Sequence, residues 1–291
     1  MNRSSTNKKF TFIDLFAGIG GFHIALSELG GECVFAAEID NHARRTYKEN
    51  LISEKSKLNK NFVKDITKVN TSEIPDFDVL CAGFPCQPFS QAGFKKGFSE
   101  TRGILFFNIV EIIKDKQPQA FFLENVSHLL KHDEGRTFET IERVLTKELG
   151  YSFYYSIVKA SDFGLPQHRP RLFMVGFKDT GLKFEFPRPL PLKKNMSDIL
   201  GGKCNKEIGF TLRVGGRGSG ISDRRNWDTY LVDDKIVRLS SLEGLKLQGF
   251  PKNFKFTVSE TQAMKQLGNS VAVPAIKAVA KNLVGLIIET S

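Results

Sequence analysis

The chain has 291 residues, 42 of them basic and 32 acidic, for a formal net charge of +10. That length suits one large domain or one domain with a small appendage, and 41% hydrophobic with 25% charged side chains excludes a disordered chain. Four cysteines (Cys33, Cys81, Cys86 and Cys204) without a Cys-x-x-Cys pair argue against a disulfide scaffold or a structural zinc site, and the polar start MNRSSTNKKF with no eighteen-residue apolar run predicts a cytoplasmic protein without a membrane span.

In chain order, FTFIDLF (10–16) reads as a strand ending in a glycine-rich turn, followed by helical spacing from Phe22 to Leu29. CVFAAEI (33–39) is a second strand and Asn41 to Asn50 a helix. DFDVLCAG (76–83) and QAFFLENV (119–126) are buried strands flanking a helical stretch from Ile104 to Lys114. Thr137 to Leu149 is an amphipathic helix, and YSFYYSIV (151–158) and RLFMVGF (171–177) are further strands. Strand and helix in alternation predict βαβ units, hence a parallel sheet with helices on both faces.

From Pro187 to about Thr257 the texture changes to prolines, glycines and no sustained helical period, which predicts a hinge into a small, irregular or β-rich domain. Residues 188–257 carry fourteen Lys and Arg against seven Asp and Glu, so +7 of the charge lies in seventy residues. Such concentration is an electrostatic footprint for a polyanion such as nucleic acid. A helical pattern returns from Glu260 and is expected to pack on the first domain. The predicted division is a catalytic, cofactor-binding domain over 1–187 and 258–291 and a recognition domain over 188–257, its variable part about 188–237.

Three groups of residues carry chemistry. DLFAGIGGF (14–22) places Gly18, Gly20 and Gly21 between a strand and a helix, where a backbone can approach a ligand closely. Glu38 ends the next strand, and its carboxylate can accept hydrogen bonds from ribose hydroxyls; the turn alone leaves a dinucleotide and S-adenosylmethionine both open. VLCAGFPCQPFSQAG (79–93) puts Cys86 after a proline at a strand end, facing the ligand crevice of an open α/β sheet, whereas Cys81 reads as a buried structural thiol. Glu124 and Asn125 end the following strand, while Gln167, Arg169 and Arg171 precede the last one, so a thiol, a carboxyl and two guanidiniums converge on one edge. His128 and His132, four apart, could imitate a metal pair, but no third ligand lies near and no metal is expected.

The chain resembles the cytosine-5 DNA methyltransferases of bacterial restriction-modification systems almost end to end. The motifs run in that family's order: DLFAGIGGF, Glu38, Asp65-Ile66, GFPCQPFS (83–90), RGILFF (102–107), ENV (124–126), QHRPR (167–171), RLSSLEGLKLQGFP (238–251) and QLGNSVAVP (266–274). The resemblance implies an S-adenosylmethionine-dependent, Rossmann-like α/β fold. It assigns Phe16, Gly18, Ile19 and Gly21 to the methionine-binding turn and Glu38 to the ribose. Ile39, Asp65 and Ile66 fall to the adenine, and Pro85, Leu105, Asn269 and Val271 to the rest of the cofactor site. Ile39 stands where many members carry an aromatic, so apolar contact replaces stacking.

The implied reaction adds the Cys86 thiolate to carbon 6 of cytosine, which turns carbon 5 into a nucleophile toward the donor's methyl group. A free thiol titrates near about pH 8.5, so Arg169 or Arg171 is expected to favour the thiolate. Glu124 is expected to bind ring nitrogen 3 as a carboxylic acid with a pKa raised by burial. Arg171 matches the residue that holds the cytosine carbonyl, and Arg169 is expected to hold the loop or a phosphate. A duplex hides the reacting face, so the base must be flipped out, with Gln87 to Gly103 (including Gln87 and Ser90) closing over it. In the variable region Thr211-Leu212 matches the family's short marker, and Arg213, Arg217, Arg224 and Arg225 are candidates for base edges or phosphates. The nearest rival is a transfer-RNA methyltransferase of the same fold. That branch carries Cys-Phe-Thr and Pro-Pro-Cys where this chain has Gly209-Phe210-Thr211 and Phe84-Pro85-Cys86. A nicotinamide oxidoreductase leaves Cys86 and QHRPR without a role, and a binding module without turnover does not require Cys86, Glu124 and Arg171 together. Duplex DNA is the expected partner, the product cofactor S-adenosylhomocysteine, the expected state a monomer, and a cognate endonuclease the expected functional companion.

Overall fold

The computed structural model describes residues 10–54, 56–85 and 105–289. Seven apolar segments form one sheet: β1 (Thr11–Leu15), β2 (Glu32–Ala37), β3 (Phe62–Val63), β4 (Val79–Gly83), β5 (Ala120–Val126), β6 (Tyr154–Lys159) and β7 (Pro170–Phe177). Their spatial order is β3-β2-β1-β4-β5-β7-β6. The helices in chain order are α1 (Gly21–Ser27), α2 (Asn41–Leu51), α3 (Leu58–Asn61), α4 (Leu105–Lys116), α5 (Arg136–Arg143), α6 (Met196–Leu200), α7 (Ser241–Gln248), α8 (Glu260–Asn269) and α9 (Val273–Glu289).

Alternate side chains of each strand enter opposite core layers, as the two-residue period requires. Phe12, Cys81, Phe122 and Phe173 join one layer with Phe22 and Ala25 of α1 and Ile276 and Leu283 of α9. Ile13, Leu80, Phe121 and Leu172 join the other with Phe106 and Val110 of α4 and Phe138 and Ile141 of α5. Helices therefore cover both faces, and Cys81 is a fully buried thiol as expected. The run Glu260–Glu289 has the length and hydropathy of a membrane span, but more than half of its most apolar window is buried against the rest of the chain. It is a core element.

One expectation needs correction. The sheet is mixed, since β7 runs antiparallel to both β5 and β6 while β1 through β5 pair in parallel. Between Lys159 and Pro170 the chain makes only a short 3-10 turn, Ala160–Phe163, which is too little for a helical crossover, so it returns antiparallel. The stretch after Pro187 is mostly irregular and holds the hairpin β8 (Thr229–Val232) and β9 (Lys235–Arg238) together with the short helices α6 and α7. Helix α7 is fixed by a capping box in which Ser240 and Glu243 satisfy each other's backbone N–H groups. Eight residues give barely two turns, too few for periodicity to stand out. The predicted helix over 137–149 is α5 continued by a single π-helical turn, Val144–Glu148.

The strand order places the switch in winding between the parallel strands β1 and β4, and the crevice outside their carboxyl ends is where an open α/β sheet binds ligands.

Candidate active site

A cavity of about 380 Å³ occupies that crevice, within the usual size of small-molecule sites. Its floor is the turn after β1. Phe16 (φ 55°), Gly18 (φ 55°) and Gly20 (φ 87°) adopt left-handed conformations, and a Cβ on Gly18 would meet no atom within 4 Å, so its backbone faces open space. Glu38 holds this turn. One carboxylate oxygen accepts the Gly18 N–H at 2.7 Å and the other accepts the Asp40 N–H at 2.7 Å. Burial raises the Glu38 carboxyl, and those two N–H groups oppose the shift. Asp40 in turn caps α2 by accepting from His42 and Ala43. Beside them Ile39 is 65% exposed, an apolar side chain left open to a ligand.

Of the predicted cofactor residues, Phe16, Gly18, Ile19, Glu38, Ile39, Pro85, Leu105 and Asn269 line the cavity. Gly21, Val271, Asp65 and Ile66 are not among its lining residues. Gly21 packs beneath it, where a Cβ would stand 2.5 Å from Val271 Cγ2. Ile66 is buried in the core, and the Asp65 carboxylate caps its own 3-10 turn by accepting from the Thr67 N–H and hydroxyl. The far wall comes from α8: Gln266, which opens the QLGNSVAVP motif, with Gln262 and Lys265, which the sequence pattern did not single out.

At the β5 end the cavity is charged. Glu124 and Arg171 lie on adjacent antiparallel strands, and Arg171 Nε stands 3.0 Å from Glu124 Oε1 with both side chains largely buried. Burial pushes the Glu124 carboxyl upward although the guanidiniums of Arg171 and Arg169 pull it down, so the acid form is favoured relative to an ordinary glutamate. Asn125 donates to the Phe84 carbonyl at 2.9 Å, tying β5 to the strand exit that leads to Pro85. No motif in the sequence signals that tie. Cys86, Gln87 and Ser90 lie outside the described residues. Arg169, expected near a loop or phosphate, is 2% exposed and donates to the main-chain carbonyls of Leu212, Gly268 and Ser270.

The family model for C-5 cytosine-specific DNA methylases matches residues 10–214 and 210–285, nearly the whole chain. The chain belongs to that family. It is a DNA cytosine-5 methyltransferase, an enzyme of a family that uses S-adenosylmethionine as methyl donor. The Type II methyltransferase M.HpaII of Haemophilus parainfluenzae is 42% identical to it over 327 residues, covering 95% of this chain and 89% of that protein. M.DsaV of Dactylococcopsis salina is 40% identical, covering 96% and 87%. Among solved structures, a DNMT2 mutant from Spodoptera frugiperda matches with TM-score 0.70 at 20% identity over 94% of this chain and 99% of that one. A putative DNA modification methyltransferase encoded within an E. coli prophage matches with TM-score 0.71 at 21% identity over 96% and 99%. At that identity the two structures speak to fold alone.

In this methyltransferase the four arginines of the glycine-rich segment are not equivalent. Arg217 is engaged inward, its Nη2 donating to the Leu239 carbonyl and approaching Glu260, its Nε 3.7 Å from the fully buried Asp228 carboxylate. Asp228 also accepts the Gly218 N–H and pairs with Arg238, so it staples the glycine turn to the β8–β9 hairpin. Arg225 is paired with Asp223. Arg213 and Arg224 are exposed and have no hydrogen bond or ion pair with another described residue. The Thr211 hydroxyl donates to the His168 carbonyl, fixing the marker dipeptide to the start of β7. His132 bonds to Thr137 at 2.7 Å, and among the described residues no group of three or more His, Cys, Asp or Glu is disposed for a metal.

Proposed function

We propose that this methyltransferase acts on one cytosine, flipped out of a short specific sequence in duplex DNA, through a covalent bond between Cys86 and carbon 6. The observation that carries this reading is the Glu124–Arg171 pair at the inner end of a cavity whose edge is Pro85, the residue before Cys86. The residues present suit S-adenosylmethionine: a glycine turn open to a ligand, a carboxylate for ribose hydroxyls at Glu38, an exposed apolar side chain for adenine at Ile39, and an amide at Asn269 for the methionine end. Asp65 and Ile66 stay in this reading as contacts beyond the cavity wall, near the adenine. When bound, S-adenosylmethionine supplies an electrophilic methyl group.

The chain's own residues do the remainder. Cys86 adds as thiolate to carbon 6, and Glu124, protonated, donates a hydrogen bond to ring nitrogen 3, so electron density moves toward carbon 5; once carbon 5 is methylated, a base or water takes its proton, the C6–S bond breaks and Cys86 leaves as thiolate. Arg171 orients Glu124 and stands ready for the cytosine carbonyl. Arg169 holds backbone rather than phosphate. Residues 188–257 are the target-recognition region, with Arg213 and Arg224 its contacting arginines and Arg217 internal to it; Gln87 and Ser90, outside the described residues, are read as further DNA contacts. The enzyme works as a monomer in the cytoplasm, without a metal, beside a cognate endonuclease, a pairing supported by the names of its type II relatives.

The test is transfer of labelled methyl groups from S-adenosylmethionine to unmethylated duplex DNA and to transfer RNA in parallel, followed by sequencing of the methylated DNA. Label confined to DNA, at carbon 5 of one cytosine in one short site, is expected. Label in transfer RNA alone removes the DNA reading.

A further inference from the structure

The Arg169 guanidinium is buried, and its partners belong to two different parts of the chain. Nη1 donates to the Leu212 carbonyl at 3.0 Å, immediately before Arg213 in the glycine-rich segment. Nη2 donates to the Gly268 carbonyl at 3.0 Å and to the Ser270 carbonyl, the two residues that flank Asn269 in the cavity wall. Arg169 itself borders the cavity.

The surrounding contacts tighten this junction. The Gln167 side chain accepts the Leu212 N–H at 3.0 Å and donates to the Leu247 carbonyl at 2.8 Å, so Leu212 is held at both its N–H and its carbonyl. Gln248 donates to the Leu267 carbonyl at 2.6 Å, one residue before Gly268. The two segments also touch directly: a Cβ on Gly268 would lie 2.5 Å from the Arg213 carbonyl carbon. Every one of these polar groups is buried, and a buried group that loses its partner bears the full desolvation penalty. The Asn269 segment and the Leu212–Arg213 segment therefore cannot move independently while Arg169 joins them.

We propose that Arg169 is a positioning residue that couples occupancy of the cofactor cavity to the posture of the recognition segment. This rests on reading the cavity as the cofactor site and residues 188–257 as the DNA-reading region. Fixing either segment reduces the freedom left for the other ligand to remove, so the coupling is positive and, by linkage, reciprocal. An effect of about fivefold or more on each affinity is the usual scale for such coupling.

The test measures the affinity of the full chain for S-adenosylhomocysteine by calorimetry, alone and with a duplex carrying the site found by sequencing. Wild type is expected to bind about fivefold more tightly or better with DNA present. Arg169→Lys keeps the charge but lacks the planar fork that serves three carbonyls, and its ratio is expected to fall to about one. A folded Arg169→Lys protein that keeps the wild-type ratio overturns the proposal. Hydrogen exchange on wild type covers the case in which the variant does not fold. S-adenosylhomocysteine alone should slow exchange at residues 209–214, which are absent from the cavity wall. Binding without that protection overturns the coupling and leaves the cofactor reading intact. No binding at all removes both.

Discussion

Arg171 Nε and Glu124 Oε1 stand 3.0 Å apart on neighbouring antiparallel strands, an ion pair whose carboxyl partner is nonetheless raised by burial. If Glu124 acts as the acid at ring nitrogen 3, activity requires its protonated form and declines as pH rises through its elevated pKa. Glu124→Gln is expected to lower kcat by about 10²- to 10⁴-fold, the usual contribution of general acid catalysis, and to abolish that decline. A variant rate within threefold of wild type would falsify the acid role.

Cys86→Ser retains shape but loses the thiolate. Turnover is expected to vanish while duplex binding, measured by fluorescence anisotropy, persists. Near-normal methylation by this variant rules out the covalent route.

Gly20 sits at φ 87°, and a Cβ there would come within 2.1 Å of Leu51 Cδ1 and 3.0 Å of Tyr47. Gly20→Ala should cost about 1–3 kcal/mol of stability through backbone strain, seen as a lower denaturation midpoint. An unchanged midpoint contradicts the strain argument.

Beneath the same turn Asp14 is 1% exposed, with no hydrogen bond of normal geometry to its carboxyl oxygens. Burial raises its pKa well above the ordinary range; the His23 backbone N–H opposes the shift and the Glu38 carboxylate adds to it. The neighbouring His23 is held neutral, its pKa lowered to about 4 by burial. Because the folded pKa of Asp14 exceeds the unfolded value of about 3.9, its contribution to stability is complete below that value. It is lost as pH climbs toward the folded pKa. Asp14→Asn removes this dependence. The difference in Tm between variant and wild type should therefore shift in the variant's favour between pH 4.5 and pH 8 (on the order of the window just described), and a shift the other way contradicts the assignment.

The arginines of the recognition segment offer a direct comparison. Arg213→Ala and Arg224→Ala should each weaken duplex binding, and removing one arginine–phosphate ion pair should reduce the slope of log K against log salt by about 1. Arg217→Ala should chiefly lower Tm, because it takes one of two guanidinium partners from the buried Asp228 and leaves Arg238 alone to balance it. Equal loss of binding in a thermally unaltered Arg217→Ala protein would reassign it to the DNA.

Strand positions were legible because the two-residue period of Phe12, Ile13 and their counterparts survives in the letters, and strand ends brought Glu38, Glu124 and Arg171 to one crevice as expected. The direction of β7 was not, since it depends on the length of a connection rather than on the strand's own residues. Helix α7 is too short to show a period, although its Ser240 and Glu243 carried the capping signal. The fates of Arg169 and Arg217 were hidden for a different reason. Arg169 binds main-chain carbonyls, which leave no mark on residue identity, and Arg217 meets Asp228 and Glu260 only through tertiary folding.

The cofactor cavity is walled by Phe16 and Gly18 near one end of the described chain and by Gln266 and Asn269 near the other. During synthesis the glycine turn emerges first and waits for its opposite wall until α8 has left the ribosome. A nascent chain cut short before residue 260 carries the glycine turn, Glu124 and Arg171 but lacks Gln262, Lys265, Gln266 and Asn269, so premature termination yields a chain whose cavity is missing a wall.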